Sequence, residues 1–293
     1  MVIVKLSGGL ANQMFPYAAG RRLAKSLETE LKFDVSGFTV YEEQQSLDFR
    51  RYSLGVFNVK EDFATIDECE ALTSREPSLL EKMFCRKPRR PSTYIKERHY
   101  HFDQEILQLK GDIYLQGNWN SEKYFADIKD IIRQDFTFKH PPTGRNLELL
   151  NEISSVESVS IHVRRGDYVS NSKANQVHGT CNLSFYQAGV ALIAGCVAKP
   201  HFFIFSDDLQ WVREHLSLSL PCTFVDHNGP LDGHEDLRLM SQCKHNIIAN
   251  SGFSWWGAWL NSNPGKIVVA PKAWFQVKKY DTNDLIPPSW VRL

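Results

Sequence analysis

The chain alternates short apolar runs with stretches whose apolar residues recur at helical spacing. Residues 2–6 (VIVKL) predict a strand, and the glycines of the following SGGLANQ predict a turn. Apolar residues then recur at helical spacing, at Met14, Tyr17, Ala18, Leu23 and Leu27. Because proline is best tolerated in the first helical turn, Pro16 predicts a helix that begins near residues 13–15. LKFDVSGF predicts a second strand ending at Asp34, so the chain opens as a βαβ unit.

The second half repeats this alternation more regularly. The predicted strands are 158–163, 201–206, CTFVD, HNIIAN and 266–270, and helical patterns such as LSFYQAGVALIAGCV separate them. Strands that alternate with helices indicate a parallel, doubly wound α/β sheet. In such sheets, ligands bind beyond the carboxyl ends of the strands.

The segment 139–146 (KHPPTGRN) predicts a linker, because paired prolines and a glycine interrupt regular structure. It gives two predicted domains, residues 1–145 and 146–293, with a C-terminal tail able to pack back on the first domain. Between residues 41 and 110 the pattern is irregular. The basic stretch CRKPRRPSTYIKERHYHF there is typical of a solvated loop, with a patch for an anionic ligand or a membrane surface as the alternative.

Composition limits the classes of function. The 293 residues carry 34 basic and 34 acidic side chains, and this neutral total argues against a nucleic-acid partner. The six cysteines form no CxxC pair, which favours free thiols in a reducing compartment. Lys5 interrupts the first apolar run, so no signal peptide is predicted, and no run has the length of a membrane span. We therefore expect a cytoplasmic protein, with peripheral membrane contact left open.

Polar residues and glycines collect after the predicted strands. They are Ser7–Gly9, Asp34, Arg164–Asp167, Ser206–Asp208, Asp226 and Asn250–Ser254. In IANSGFSWW, Ser254 is predicted to cap a helix whose free N–H groups suit phosphate. Arg164 and Arg165 fall on the same rim, and arginine forks bind phosphate oxygens with two donors. Together these residues predict a diphosphate site.

For several residues the sequence allows both a structural and a ligand-binding interpretation. Asp207 and Asp208 suit either helix capping or hydrogen bonds to a base or ribose, and His162 is either a core residue or part of a site. The loop SGGLANQ lacks G-x-G-x-x-G spacing and a P-loop lysine, so it is either a tight turn or a close backbone approach to a ligand. The tryptophans Trp255, Trp256 and Trp259 are predicted to pack in the core. The chain contains no G-x-S-x-G or HExxH motif and no Cys/His metal spacing.

Three motifs resemble those of the bacterial α-1,2-fucosyltransferases of glycosyltransferase family 11. GGLANQMFPYAAGRRLA (8–24) resembles that family's GGLGNQMFQYA, with Ala11 in place of glycine and Pro16 in place of glutamine. HVRRGDY (162–168) resembles the HxRRxDY motif shared with α-1,6- and protein O-fucosyltransferases. DLRLMSQCKHNIIANSGFSWWGAWL (236–260) resembles the family's C-terminal motif, and FSDDLQWV also fits. The resemblance extends to about residue 272.

The resemblance implies a GT-B fold, in which two Rossmann-like domains face a cleft. It implies that the C-terminal domain binds GDP-β-L-fucose and that the N-terminal domain lies on the acceptor side. The implied reaction inverts the anomeric centre and attaches fucose to the 2-hydroxyl of a galactose-terminated glycan. Neither a cofactor nor a metal is implied.

The resemblance also implies roles for individual residues. Arg164 is expected on the β-phosphate, and Arg165 is expected to hold the loop through Asp167. With Asn12 and His162, Arg164 forms the expected catalytic set. The residues expected to bind the donor are Arg164, Arg165, Asp167, Asp207, Asp208, Asn250, Ser251, Gly252, Phe253, Ser254, Gly9 and Gln13. Asn12 and Gln13 are expected to face the cleft from the N-terminal domain.

Some questions stay open at this stage. The general base is unassigned, with Asp34, Glu42 and Glu43 as candidates. The alternatives to α-1,2-fucosyl transfer are an α-1,6- or protein O-fucosyltransferase and a non-catalytic sugar- or nucleotide-binding module. Free lactose, a lipid-linked O-antigen repeat and a host-like glycan all suit as acceptors.

Overall fold

The computed structural model describes residues 1–38, 51–74 and 91–293, which form two compact units. The first comprises Met1–Lys139 and Asn283–Leu285, and the second comprises His140–Thr282 and Ile286–Leu293. The change from one unit to the other thus lies within the proline-containing segment 139–146. The boundary predicted between residues 145 and 146 lies six residues after the observed change at 139/140, inside a helix that starts at Gly144.

The first unit is built on a parallel sheet. Its described strands are β1 (Val2–Lys5), β2 (Leu31–Asp34), β3 (Tyr94–Lys96) and β4 (Ile113–Gln116). They lie in the order β2-β1-β4-β3, and every neighbouring pair is parallel. The apolar residues of β1 are fully buried, as a central parallel strand requires.

Helix α1 (Leu10–Ser26) begins earlier than predicted, so Pro16 lies inside it. The expectation of a start near residues 13–15 was wrong because the turn after β1 decides where the helix begins. Gly8 adopts a φ of +73°, which favours glycine, and Gly9 is the N-cap. The interior proline removes one helical hydrogen bond. Close packing supports the helix nevertheless: a Cβ on Gly20 would lie 2.3 Å from Val4 Cγ1.

Short elements complete the described part of the first unit. They are α2 (Ile66–Thr73), α3 (Lys129–Asp135) and 3₁₀ turns at Leu54–Val56, Gln104–Gln108, Glu122–Tyr124 and Ala126–Ile128. Asp284 ties the late segment Asn283–Leu285 into this unit. Its carboxylate accepts the Phe102 N–H at 3.0 Å and pairs with Lys123, and its carbonyl accepts the Ser121 hydroxyl at 2.7 Å.

The second unit contains a second parallel sheet. Its strands are β5 (Glu157–Val163), β6 (Pro200–Ser206), β7 (Cys222–Phe224), β8 (His245–Ile247), β9 (Val268–Ala270) and β10 (Val291–Arg292). The order is β10-β9-β8-β5-β6-β7, with all neighbours parallel. The sheet therefore places the carboxyl ends of β8, β5 and β6 side by side.

One helix precedes these strands and the others lie between them in the chain. They are α4 (Gly144–Ser155), α5 (Gly166–Ser170), α6 (Ser172–His178), α7 (Leu183–Cys196), α8 (Leu209–His215), α9 (Gly233–Gln242) and α10 (Gly252–Leu260). Trp255, Trp256 and Trp259 of α10 are buried, so their predicted core role is confirmed. The predicted class, two α/β domains each built on a parallel sheet, is also confirmed. Among the described helices, none is both long and apolar enough to span a bilayer.

Candidate active site

The carboxyl edge of the second sheet gathers most of the predicted donor-site residues. Arg164 and Arg165 follow β5, Asp207 follows β6, and Asn250 lies just beyond β8. Because β5 lies between β6 and β8, these strand ends are neighbours. The site is thus assembled by sheet order from segments far apart in the chain.

Arg164 lies between two carboxylates. Its Nη2 is 2.5 Å from Asp167 Oδ1, and its Nη1 is 2.7 Å from Asp207 Oδ2. Burial of the guanidinium opposes its charge, but Asp207 and Asp167 outweigh that effect and raise the pKa of Arg164 above its ordinary value. The guanidinium also lies 5.3 Å from the centre of the Tyr168 ring. The Arg164 guanidinium is therefore charged and held in a fixed position at the end of β5.

Arg165 is the more enclosed of the pair, with a side chain 16% exposed against 31% for Arg164. Its guanidinium stacks on Trp211 at 3.6 Å from the ring centre, and its Nε donates to Asp208 Oδ2 at 3.1 Å. This contact corrects one expectation. Asp167 pairs with Arg164 rather than Arg165, because Arg165 turns towards α8, where Trp211 and Asp208 hold it.

Asp207 and Asp208 both bind groups of the protein. Asp207 accepts the Arg165 backbone N–H at 2.8 Å besides pairing with Arg164. Asp208 is the N-cap of α8 and accepts the Trp211 N–H at 3.2 Å, so the capping interpretation is confirmed for Asp208. Their contact with a base or ribose stays a prediction, whereas their part in ordering the arginine pair is a feature of the fold.

His162 lies on β5, two residues before Arg164, and is 5% exposed. Its ring centre is 5.7 Å from that of Phe253, and its Nδ1 is buried with no hydrogen-bond partner among the described residues. Burial, assisted by the Arg164 charge, lowers the pKa of His162 to about 3. The ring is therefore neutral near pH 7, which suits hydrogen bonding better than proton donation.

The N-terminus of α10 follows β8, beside the end of β5. Ser251 is the N-cap, and its hydroxyl accepts the Phe253 N–H at 3.3 Å. Ser254, the predicted cap, lies instead in the first turn, where its hydroxyl donates to the Ser251 carbonyl. The cap was misplaced because the helix starts at Gly252. The free N–H groups of this turn still give the edge a partial positive charge.

Asn250 does not have a side chain free to bind a donor. It is 2% exposed, and its Nδ2 lies within 3.0–3.2 Å of the carbonyl oxygens of His178, Gly179 and Trp274. Its side-chain amide is thus engaged within the fold, and donor binding by Asn250 stays a prediction. Asn250 instead holds the loops after α6 and β9 against the end of β8.

In the first unit, Asn12 is exposed at the surface and Gln13 is buried. Asn12 is exposed at the start of α1, and its amide lies so close to Gly8 that a Cβ there would be 2.7 Å from Nδ2. Gln13 is fully buried, and its amide bonds to the Gly8 and Arg51 carbonyls and to the Ser53 N–H. Helix α1 turns the Gln13 side chain inward, and ligand binding by Gln13 stays a prediction. Gly9, the exposed N-cap, remains compatible with a ligand.

Of the candidate bases, Asp34 is the one that the structure describes. Its carboxylate is buried and accepts hydrogen bonds from the Tyr114 hydroxyl and the Ser36 N–H. Burial raises the pKa of Asp34, but these hydrogen bonds outweigh it and hold the pKa below its ordinary value. A carboxylate with a low pKa is a weak base. Glu42 and Glu43 lie outside the described residues.

Asp236 is a candidate that the sequence reasoning missed. It lies in the first turn of α9 and accepts a hydrogen bond from Asn228, which follows β7. Burial, with Asp232 and Glu235 nearby, raises the pKa of Asp236 to about 6. The neighbouring Gly233 lies near the Phe253 ring. An acid directly before Leu237, in the segment DLRLM, was the available signal. Across the described residues, no three His, Cys, Asp or Glu side chains form a metal-binding group.

The sequence profile of Glycosyl transferase family 11 matches residues 1–293. The chain belongs to glycosyltransferase family 11. An α-1,2-colitosyltransferase of Escherichia coli is 33% identical, over 100% of this chain and 99% of that protein. The E. coli O-antigen biosynthesis glycosyltransferase WbnK is 30% identical, over 98% and 99% of the two chains. This family member is therefore a glycosyltransferase.

The fold comparison agrees with this membership. The α-1,6-fucosyltransferase NodZ, in a crystal soaked with GDP-fucose, superposes with a TM-score of 0.50 at 16% identity, covering 90% of this chain and 96% of NodZ. At that identity the likeness shows the fold, and the predicted GT-B class is confirmed. Galactoside α-(1,2)-fucosyltransferase 1 of Bos taurus is 23% identical over 57% of this chain and 47% of its own.

Proposed function

We propose that this protein is an inverting α-1,2-fucosyltransferase that moves L-fucose from GDP-β-L-fucose to the 2-hydroxyl of a β-galactosyl residue. Membership of family 11 and the names of the E. coli and Bos taurus relatives support this reaction class. The WbnK relative supports an O-antigen glycan as acceptor. The protein would act in the cytoplasm, with peripheral contact at the inner membrane where a lipid-linked acceptor is presented.

One observation carries the proposal. Arg164, at the end of β5, lies beside the N-terminus of α10, which follows β8. Tyr168 connects the two elements, because its ring faces the Arg164 guanidinium and its hydroxyl donates to the Asn250 carbonyl at 3.5 Å. The guanidinium donors of Arg164 and the free N–H groups of α10 thus converge on one edge of the sheet, and such directed donors suit a nucleoside diphosphate.

The reaction needs positive charge where the donor breaks. The acceptor oxygen forms a bond to C1 of fucose while the bond from C1 to the phosphate oxygen breaks, and GDP leaves with the electron pair. Negative charge then builds on the β-phosphate, where Arg164 and the N–H groups of α10 would stabilise it. On this account no divalent ion is needed. The hydroxyl proton passes to a base that we leave unassigned.

Arg164 is favoured over Arg165 for this contact. Trp211 covers one face of the Arg165 guanidinium and Asp208 holds its Nε, whereas Arg164 is the more exposed of the two. Asp167 and Asp207 would then orient Arg164 before the donor binds. Arg165 would act as a positioning residue that fixes the loop between β5 and α5.

Colitosyl transfer is the second candidate, favoured by the α-1,2-colitosyltransferase relative. Colitose is L-fucose without its 3-hydroxyl group, so GDP-colitose would fit the same edge of the sheet. A site built to hydrogen-bond a hydroxyl discriminates strongly against an analogue that lacks it. The donor preference therefore depends on whether a protein group bonds that hydroxyl.

A transfer assay tests the proposal. The protein is incubated with GDP-fucose or GDP-colitose and with lactose, lacto-N-biose or N-acetyllactosamine, and the linkage of the product is determined. We expect fucose linked α-1,2 to galactose. Transfer to another position would favour a different GDP-fucose enzyme, preference for GDP-colitose would favour the second candidate, and binding without transfer would favour a non-catalytic module.

Asp236 gives a prediction on pH dependence. Because its pKa is raised to about 6, ionisation destabilises the folded state progressively as the pH rises above the ordinary value, and fully above pH 6. Asp236→Asn keeps an oxygen for Asn228 and removes the charge. We expect a gain of about 1–2 kcal/mol in unfolding free energy at pH 8 that shrinks towards pH 4, since the group is partly exposed.

The same variant tests whether the charge serves function. We expect Asp236→Asn to be slower as well as more stable, because strained charges are commonly retained at working sites. Thermal melts at pH 8 and pH 4.5, with turnover measured at pH 7.5, check both effects. A variant that is destabilised at pH 8, or whose gain does not change with pH, would count against the buried-charge account.

A further inference from the structure

A cavity of about 460 Å³ lies in the first unit. Its lining includes Tyr94, Glu97, Arg98, Ile106, Trp119 and Tyr124. Glu97 directly follows β3, and Trp119 lies just after β4, so the cavity adjoins the carboxyl ends of two neighbouring parallel strands. This is where open α/β sheets bind ligands, and the volume suits a sugar residue.

Glu97 is hydrogen-bonded to the loop that follows β4. The Glu97 carboxylate accepts the Asn118 N–H at 2.6 Å and the Trp119 N–H at 3.0 Å. A Cβ on Gly117 would lie 2.3 Å from Glu97 Cβ and 3.0 Å from Trp119 Cε2, so only glycine permits this approach. Burial raises the pKa of Glu97 above its ordinary value. The carboxylate is thus held rigidly in the wall of the cavity.

Trp119 carries two unfavourable features at this place. Its φ of +53° lies in the left-handed region, which costs a non-glycine residue roughly 1–3 kcal/mol. Its side chain is 1% exposed, yet the indole N–H has no hydrogen-bond partner among the described residues. A buried donor without a partner is rare in folded proteins. Strain and an unused donor at one residue of the cavity lining make Trp119 a candidate for contact with a bound ligand.

The charges around the cavity define the chemistry of that partner. Lys96 and Arg98 are matched by Glu97, Asp103 and Glu105, so the lining has no excess of positive charge for a phosphate. A tryptophan with an unused N–H and a carboxylate among the lining residues instead suit hydroxyl groups, which both donate and accept. Aromatic and aliphatic residues supply the apolar remainder. A neutral saccharide fits this combination.

We propose that this cavity binds a sugar residue of the acceptor glycan, with the Trp119 indole N–H donating to one of its hydroxyls and Glu97 accepting from another. This inference rests on the proposed function, since it names the place where that reaction's acceptor is held. Trp119 would set the acceptor affinity and would leave donor binding unchanged.

The test removes the N–H and keeps an aromatic ring. For Trp119→Phe, steady-state kinetics are measured with GDP-fucose and the best of lactose, lacto-N-biose and N-acetyllactosamine. We expect the acceptor KM to rise about 3- to 10-fold, the effect of one neutral hydrogen bond, and the donor KM to stay within about twofold. Trp290→Phe, the same change at a buried tryptophan of the second unit, is the control and should alter neither constant.

Deoxygenated acceptors make the test specific to one contact. Single-position deoxy analogues are assayed with wild type and Trp119→Phe, and the hydroxyl bonded by Trp119 should show a non-additive effect. The wild type should lose affinity on its removal, whereas the variant should lose none. An acceptor KM unchanged by Trp119→Phe, a parallel rise in donor KM, or strictly additive effects at every position would overturn the proposal.

Failure of the proposed function would be visible separately. If wild type transfers no sugar from GDP-fucose, the assignment of the reaction fails, and the cavity is tested by calorimetric titration with the same three galactosides. Binding by wild type and Trp290→Phe, with at least threefold weaker binding by Trp119→Phe, would support the cavity as a saccharide site. Equal binding by all three proteins, or no binding by any of them, would overturn it.

Discussion

Replacing Arg164 with alanine is expected to lower kcat by roughly 10²–10³-fold, the usual loss when a group that stabilises transition-state charge is removed. The guanidinium is held by Asp167 and Asp207 beside the N-terminus of α10, so its charge is positioned before the donor arrives. Arg164→Lys keeps the charge but cannot reach both carboxylates, so it should recover only part of the rate. Initial rates with saturating GDP-fucose and acceptor measure both variants.

Two comparisons make this prediction discriminating. Arg165→Ala should reduce thermal stability more than Arg164→Ala does, because it removes the stacking on Trp211 and the bond to Asp208. Substitution of Asn12 should also reduce turnover far more than substitution of any single acid outside the three motifs. If correctly folded Asp34→Ala loses as much turnover as Arg164→Ala, this ranking is wrong.

Asn250→Ala is expected to destabilise the second unit by about 2–4 kcal/mol. Its amide serves three loop carbonyls, those of His178, Gly179 and Trp274, and the truncation leaves these buried oxygens without their donor. Asn250→Asp should be at least as harmful, because a carboxylate would face those same carbonyls. Denaturant unfolding of wild type and both variants measures the effect.

The affinity for GDP separates this structural role from ligand binding. If Asn250 acts through the loops, the folded fraction of the variant should bind GDP with affinity within a few-fold of wild type. A variant as stable as wild type that has lost GDP binding would instead assign a donor-binding role to this amide.

The sequence was sufficient for the sheet and for the edge at which the site lies. Apolar runs followed by Arg164, Asp207 and Asn250 mark strand ends, and parallel strands bring their carboxyl ends together. The N-terminus of α10 could be placed to within a few residues. The rule holds because backbone direction, rather than side-chain detail, decides which ends are neighbours.

Side-chain partners could not be predicted in the same way. Gln13 and Asn250 follow strands just as ligand-binding residues would, yet their amides bond to backbone atoms of Arg51, Ser53 and distant loops. Those partners are set by tertiary packing, which local pattern does not encode. The pairing of Asp167 with Arg164 is similar, since it depended on Trp211 drawing Arg165 towards α8.

The cavity of the first unit had no motif to indicate it. Glu97 is one acid in a basic stretch, and Trp119 is one aromatic residue among several. The features that distinguish the cavity are the positive φ and unused N–H of Trp119 and the close contact at Gly117. All three are properties of the folded chain. Such sites are accessible only once the backbone is known.

The most direct test of the central claim is product analysis with EDTA-treated protein. GDP-β-L-fucose and a β-galactoside are supplied without divalent ions, and the linkage of the product is determined by NMR. The account predicts α-L-fucose on the galactose 2-hydroxyl, formed at the same rate as without EDTA. Transfer that is abolished by EDTA and restored by manganese, or a product with another linkage, would contradict it.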